Sequence, residues 1–316
     1  MKTTFTAAND GKELFTRRWN PEGEPKAVLL IVHGMGEHSA RYSEFARFLT
    51  DNDYAVFSYD HRGHGFTTPG KGQKGIVHAR DAYQQMADDI VTMQKTIRKI
   101  HPDLPFFYFA HSMGSFLTMR SLQTSSTMPS PDGIIYSGTS GAVSPLLPLG
   151  IFFSSLLRKI FGDEYKSELL RNMIFGPYNK AFKPTRTRHD WISRDKEAID
   201  RYVADPNCGF TPSVSFLNEF FKGLRRTQRH QPFSGPHTYP VFIIAGSEDP
   251  ISKPHDGISK LIKKLKSSGI ESLDRKIYKG GRHEMLSELN KKDVMTDIHH
   301  WLDETIEQVK SKALAS

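Results

Sequence analysis

Short apolar runs recur along the chain, each closed by glycine, proline or charge, with stretches of helical period between them. The runs AVLLIVHG (27–34), YAVFSYD (54–60), PFFYFAHS (105–112), GIIYSG (133–138), PVFIIAGSED (240–249) and DRKIYKG (274–280) are predicted as strands of the kind buried in a parallel sheet. Ahead of them, residues 3–8 and 13–19 read as two short strands joined at Asn9-Asp10-Gly11, a turn sequence suited to a hairpin. Helical spacing marks RYSEFARFLTDN (41–52), with Phe45, Phe48 and Leu49 on one face, and 81–100, with Met86, Ile90, Met93 and Ile97. Residues 113–123, 255–268 and 292–312 are predicted as further helices, the last carrying Val294, Ile298, Trp301 and Ile306. Strands alternating with helices predict an α/β fold, a mostly parallel eight-stranded sheet with helices on both faces.

The alternation stops between residues 140 and 238. Pro145, Pro148, Pro177, Pro184, Pro206, Pro212, Pro232 and Pro236 interrupt it, and apolar clusters such as LLPLGIFFSSLLRKIF (146–161) and FLNEFF (216–221) fill it. So long an insertion between two core strands is functional or disordered, and this one is too apolar for disorder. The expected organisation is therefore a core of residues 1–139 and 239–316, with 140–238 forming an inserted helical cap over one end of the sheet.

Composition narrows the setting. A chain of 316 residues with one cysteine, Cys208, has no internal disulfide and no cysteine pair for a metal site, so a cytoplasmic, reducing home is the simplest reading. The start, MKTTFTAANDGKELF, has no apolar h-region, and no apolar run approaches the roughly 20 residues that span a bilayer. The net charge of +8 is scattered, with clusters at Arg225, Arg226, Arg229 and at Lys260, Lys263, Lys264, Lys266. Neither accompanies a nucleic-acid motif, so no nucleic-acid partner is expected, and contact with an anionic membrane surface stays open.

The candidate chemistry begins at Phe106–Gly114, where an apolar strand runs into Ala110-His111-Ser112-Met113-Gly114 and then a helical pattern. A serine between small residues on a sharp strand-to-helix turn is a nucleophile elbow, with Ala110 where glycine is usual. The bland reading is a serine capping an ordinary helix. A serine hydroxyl needs a base, and the base needs an orienting carboxylate. After Ser112 the chain supplies Glu248-Asp249 and then His283, each at a strand end, where open parallel sheets gather their functional groups. His111 is expected to pack rather than act as the base, because neighbouring strand residues face opposite ways.

The strand at 27–34 runs into His33-Gly34-Met35-Gly36-Glu37-His38, and the backbone N–H groups of Met35 and Met113 are the expected oxyanion donors. Such a donor contributes roughly 3–4 kcal/mol in comparable sites. His33 is expected to brace this loop. Asp60-His61-Arg62-Gly63-His64-Gly65 could suggest a metal, but its ligands crowd one turn, and a rigid loop braced by arginine is the better account. No metal is expected.

With HGMGEHSARY, YDHRGHG, HSMGS, GSEDP and GGRHEML assembled, the chain closely resembles, over nearly its whole length, the monoacylglycerol lipase and lysophospholipase branch of α/β-hydrolases. The resemblance implies a serine hydrolase that cleaves carboxylic esters of single-chain lipids or smaller esters, with Asp249 as the acid and Glu248 as a turn residue. It implies a helical cap with an apolar entrance, no cofactor and a small-molecule or lipid ester as the partner. SRDKEAIDRYVADPNCGF (193–210) resembles the family's cap, which puts Tyr202 near the head-group end of the pocket or in the cap's structural core, and makes Cys208 a packed residue. Leu146, Leu149 and Phe152 of the apolar stretch are candidates for an acyl-chain wall and a membrane-touching lip, or for the cap's own core. Departures are Ala110, Met35 where smaller residues are common, and Ser115 where a second glycine is common. An aminopeptidase of the same fold would need an acidic anchor for the substrate amine, for which Asp163, Glu164 and Glu168 are available. A general short-chain carboxylesterase also fits the scaffold, as does a hydrolase-like binding protein without catalysis. Haloalkane dehalogenases and epoxide hydrolases, which need aspartate at the elbow, are excluded by Ser112.

Overall fold

A computed structural model describes residues 1–125, 127–142, 144–229, 239–253 and 256–315. An eight-stranded sheet runs in the order β1-β2-β4-β3-β5-β6-β7-β8. The hairpin predicted at Asn9-Asp10-Gly11 joins β1 (Lys2–Ala7) to β2 (Glu13–Trp19), with Gly11 at φ 79° in its turn. β2 pairs antiparallel with β4 (Tyr54–Tyr59), and all pairings beyond it are parallel.

The inner strands β3 (Ala27–Val32), β4, β5 (Phe106–His111), β6 (Gly133–Ser137) and β7 (Val241–Gly246) are buried along their whole length, which is why their sequences do not alternate. β8 (Leu273–Tyr278) departs from the expectation: DRKIYKG forms the sheet's edge, and its Asp274–Ile277 stretch is exposed. Its charged residues suit an edge, where they discourage pairing with another chain.

Alternate side chains of β3 feed opposite faces. Val28, Leu30 and Val32 join Met86, Ile90, Met93 and Ile97 of α2 (Ala82–Ile100), Phe116 and Leu117 of α3 (Met113–Thr124), and Leu261 and Leu265 of α8 (Gly257–Ser267). Leu29 and Ile31 join Phe45 and Leu49 of α1 (Ser43–Thr50) and Val294, Ile298, Trp301 and Ile306 of α9 (Lys291–Ala315). His255, at the start of the expected helix 255–268, lies outside the described residues, as do Pro232 and Pro236. Lys260, Lys263 and Lys266 form the solvated face of α8.

Between β6 and β7 the chain forms α4 (Leu147–Phe161), α5 (Glu168–Lys180), α6 (Lys196–Ala204) and α7 (Val214–Arg229). Their prolines sit in joints and a first turn, Pro148 in α4's, except Pro177, which lies inside α5. Leu147, Leu170, Val214, Leu217 and Phe221 make one apolar cluster, and Trp191, Ile192, Ile199, Tyr202 and Cys208 a second. Among the described residues no helix is long and apolar enough to cross a membrane.

Candidate active site

The turn from β5 into α3 holds Ser112 at φ 50°, ψ −119°, a region that L-residues rarely occupy. The surroundings enforce it. Ser112 N–H donates to the Ser137 carbonyl at 2.9 Å. The Ser115 hydroxyl donates to the Ser112 carbonyl at 2.6 Å and sits 2.7 Å from the Thr139 hydroxyl. A Cβ at Gly114 would overlap the Val32 carbonyl, so α3 can start this close to β3 only with glycine there. Ser115, noted from sequence only as a departure, is thus a brace of the elbow.

Asp249 follows β7, and His283 follows β8. His283 Nδ1–H donates to Asp249 Oδ1 at 3.0 Å, which leaves Nε2 as the nitrogen able to take a proton. Asp249 also accepts Ile251 N–H at 2.9 Å and the Ser252 hydroxyl at 2.5 Å. Burial alone would raise the Asp249 carboxyl, but His283 and these donors outweigh it and hold it below the usual carboxylate range. Burial works against the His283 imidazolium in the same way, and the facing carboxylate more than offsets it, leaving His283 raised. Glu248 is exposed and paired with Lys253 at 2.8 Å.

Two rings pack beside the imidazole: His111 at 4.7 Å and Trp191 at 4.9 Å between centroids. Burial pushes His111 down to about 3, so it is neutral, and its Nδ1 lies 3.4 Å from the Ser137 hydroxyl. Nothing in the sequence marked Trp191, which lies in the irregular segment ahead of α6.

The loop after β3 is held at almost every polar atom. Gly34 N–H donates to Glu37 Oε1 at 2.6 Å and Gly36 N–H to His64 Nε2 at 3.2 Å. The Gly36 carbonyl accepts the Tyr202 hydroxyl at 2.8 Å and Gly209 N–H at 2.9 Å. Among the described residues Met35 N–H has no acceptor, and Met113 N–H opens α3, where helical N–H groups lack one. His33 braces the loop as expected: it donates from Nδ1 to the Gly34 carbonyl at 2.7 Å and accepts His61 N–H at Nε2 at 3.0 Å.

Asp60 Oδ1 accepts Ser39 N–H and Oδ2 accepts Phe66 N–H, while Arg62 makes paired bonds to Asp89 and Asp10. This accounts for the loop as a braced structure. Cys208 does have ligand-type neighbours that the sequence hid. Its sulfur and the donor atoms of His38 and Asp205 lie within 4.8 Å of one another. His38 Nε2 already bonds Asp205 at 2.8 Å, and burial raises the thiol, which keeps it protonated and a poor ligand.

Arg41 was legible only as part of a motif. Its guanidinium donates twice to Glu284 at 2.6 and 2.8 Å and to Glu37 at 2.7 Å, joining the loop after β3 to the loop that carries His283. Burial opposes its charge, and Glu284 and Glu37 more than restore it.

A cavity of about 390 Å³ brings the pieces together. Ser112, His283, Met35, Met113 and Tyr202 all lie in its wall, with Leu146, Leu149, Ile174, Phe220 and Phe221. Phe152 does not: it is 59% exposed on α4 and outside the wall. Leu149, itself 51% exposed, and Gly150 still reach the wall, whereas Phe152 lies on a neighbouring part of the helix surface that does not.

Comparison with known proteins gives the same direction. The family model described as serine aminopeptidase, S33, matches residues 23–290. The monoglyceride lipase of Homo sapiens is 30% identical over 298 residues, covering 93% of this chain and 88% of its own length. That of Mus musculus is 29% identical over 300 residues, covering 94% and 89%. The structure of a thermostable carboxyl esterase from Bacillus coagulans, in complex with glycerol, superposes with a TM-score of 0.84 at 26% identity, covering 96% of this chain and 98% of that one.

Proposed function

The chain belongs to the serine aminopeptidase S33 family of α/β-hydrolases, and we propose that it is a serine ester hydrolase acting on single-chain lipid esters, monoacylglycerols or lysophospholipids, through an acyl-enzyme. The observation that carries this is the buried Asp249–His283 pair, in bonding contact at 3.0 Å, with His283 and Ser112 in the wall of one largely apolar cavity.

Ser112 Oγ attacks the ester carbonyl as His283 Nε2 takes its proton, and Asp249 stabilises the imidazolium. The tetrahedral oxygen rests on Met35 N–H and Met113 N–H, two donors without an acceptor among the described residues. His283 then protonates the leaving alcohol, and water repeats the cycle on the acyl-enzyme. An acyl chain against Leu149, Ile174 and Phe221 would gain about 0.8 kcal/mol per buried methylene. Helices α4 to α7 act as a cap over this pocket, and the exposed Phe152, Leu156 and Ile160 of α4 are its lip toward a lipid aggregate. A single cysteine with a buried thiol suits a reducing, cytoplasmic setting at the edge of a membrane.

Among the described residues the aminopeptidase reading lacks a free acidic anchor in the cavity wall. Asp163 is paired with Arg158, Glu168 with Arg171 and Arg188, and neither they nor Glu164 lies in the cavity wall. Glu37 and Glu284 do, but both are bonded to Arg41, and burial raises the Glu37 carboxyl. Rates on p-nitrophenyl esters of rising chain length, compared with aminoacyl anilides, test the choice: esters are preferred, increasingly so with acyl length, and a preference for anilides would overturn it.

A further inference from the structure

Trp191 packs its ring on the His283 imidazole, 4.9 Å between centroids and 35° from parallel. It lies in the wall of the ester pocket and is buried. Its place beside the base is set by the two chain neighbours of His283. Glu284 N–H donates to the Ile192 carbonyl at 2.8 Å, and the Arg282 guanidinium donates to the carbonyls of Asp190 and Ser193. The Ser193 hydroxyl donates to the Ser287 carbonyl at 2.7 Å, and Arg194 reaches the buried Glu288 from its N–H at 3.1 Å and from Nε at 2.8 Å. Trp191 N–H also donates to the Asn179 side chain at 2.9 Å, and the Tyr178 ring packs on the indole at 5.2 Å. Residues 190–194 of the cap are thus stapled to the loop 282–288 of the core, and the indole is carried with the imidazole.

We propose that Trp191 is a positioning residue for the base: its ring face holds the His283 imidazole against Asp249 and stabilises the imidazolium that forms when Ser112 gives up its proton. The proposal rests on the reading of His283 as the base of an ester hydrolase. Asp249 faces the imidazole, and Glu284 and Glu37 add negative charge from the loops on either side. Arg41, the positive group of the same cluster, is bonded to both glutamates, and His111 is neutral. Any apolar side chain at 191 keeps water off the imidazolium and so opposes its charge. An aromatic face returns part of that loss, because the electron-rich ring attracts a cation within about 6 Å of its centre, indole most strongly. Ile251, whose N–H holds Asp249 at 2.9 Å, packs against the same cluster as Trp191. Trp191 also packs with Ile192, Ile199, Tyr202 and Cys208. That packing needs only an apolar side chain and predicts no effect on the pH at which His283 charges.

The test is the acid limb of kcat/KM for a short p-nitrophenyl ester, with the His283 ring titrated in parallel by NMR and identified by its loss in His283→Gln. Trp191→Met keeps a side chain that fills apolar gaps and removes the ring. The limb and the titration midpoint should both move down by about one pH unit, and the plateau of kcat/KM should fall about fivefold. Trp191→Phe keeps a weaker ring and should move both the same way by about half as much. Far-ultraviolet circular dichroism reports folding, and should the methionine variant fail to fold, the phenylalanine variant carries the comparison. A midpoint that stays or rises in the folded variants would overturn the proposal, and so would a loss of rate with the midpoint unmoved, the mark of packing alone. A wild type that cleaves no ester, while its His283 midpoint still falls in Trp191→Met, would overturn the esterase reading and leave the ring contact standing.

Discussion

The Tyr202 hydroxyl donates to the Gly36 carbonyl at 2.8 Å, tying α6 to the loop that presents Met35 N–H. Its ring also lies under the Arg41 guanidinium at 4.8 Å. Tyr202 therefore serves the pocket wall and the loop's structure together, the two readings between which the sequence left it. Tyr202→Phe removes one bond of about 1 kcal/mol while Gly209 N–H still holds the same carbonyl. The expected result is a fall of about fivefold in kcat for a short p-nitrophenyl ester with KM little changed, measured by steady-state kinetics.

The pH dependence follows from His283. Only the neutral imidazole can accept the serine proton, and Asp249 raises the value at which it charges. Activity is thus lost as pH falls through a midpoint above the ordinary histidine value of about 6.5. Asp249→Asn removes the raising charge, so the acid limb moves down and kcat drops by about four orders of magnitude, as in comparable triads. A pH–rate profile of kcat/KM for both proteins checks the direction.

Gly138 sits at φ 60°, and a Cβ there would lie 2.8 Å from His283 Cε1 and 3.0 Å from His111 Cε1. Gly138→Ala should displace the imidazole and lower kcat/KM about a hundredfold, since small misplacements of a reacting group cost that much. Far-ultraviolet circular dichroism should stay as in the wild type. Gly176→Ala in α5, where nothing lies within 4 Å, is the control and leaves the rate unchanged.

Arg62 is held by Asp89 through two bonds of 2.7 Å and by the more exposed Asp10. Asp89→Ala leaves a mostly buried guanidinium with half its partners. The expected loss is about 3 kcal/mol of stability by urea denaturation, with catalysis affected little below the transition.

The sheet was legible because β3 to β7 are continuous apolar runs, and the elbow because a strand must turn sharply at Ser112 for its helix to follow. β8 misled in one respect, since a strand's sequence does not say which of its faces a neighbour covers. The order of Ser112, Asp249 and His283 along the chain pointed to their meeting, as strand ends in a parallel sheet share one rim. Trp191, the Arg41–Glu284 bridge and the His38–Asp205–Cys208 group stayed hidden, because each joins segments far apart in sequence through side chains with no periodic signature. Phe152 was left between an acyl-chain wall, a membrane-touching lip and the cap's own core, and it lies outside the cavity wall. An apolar run shows that a helix has greasy faces, and only packing shows which of them is turned to solvent.

The central claim is that Ser112 is a nucleophile activated by His283. Labelling with a fluorophosphonate, followed by mass spectrometry of the modified peptide, tests it most directly. The adduct should fall on Ser112, disappear in Ser112→Ala and form far more slowly in His283→Ala. An unlabelled wild type, or an adduct on another residue that survives Ser112→Ala, would contradict it.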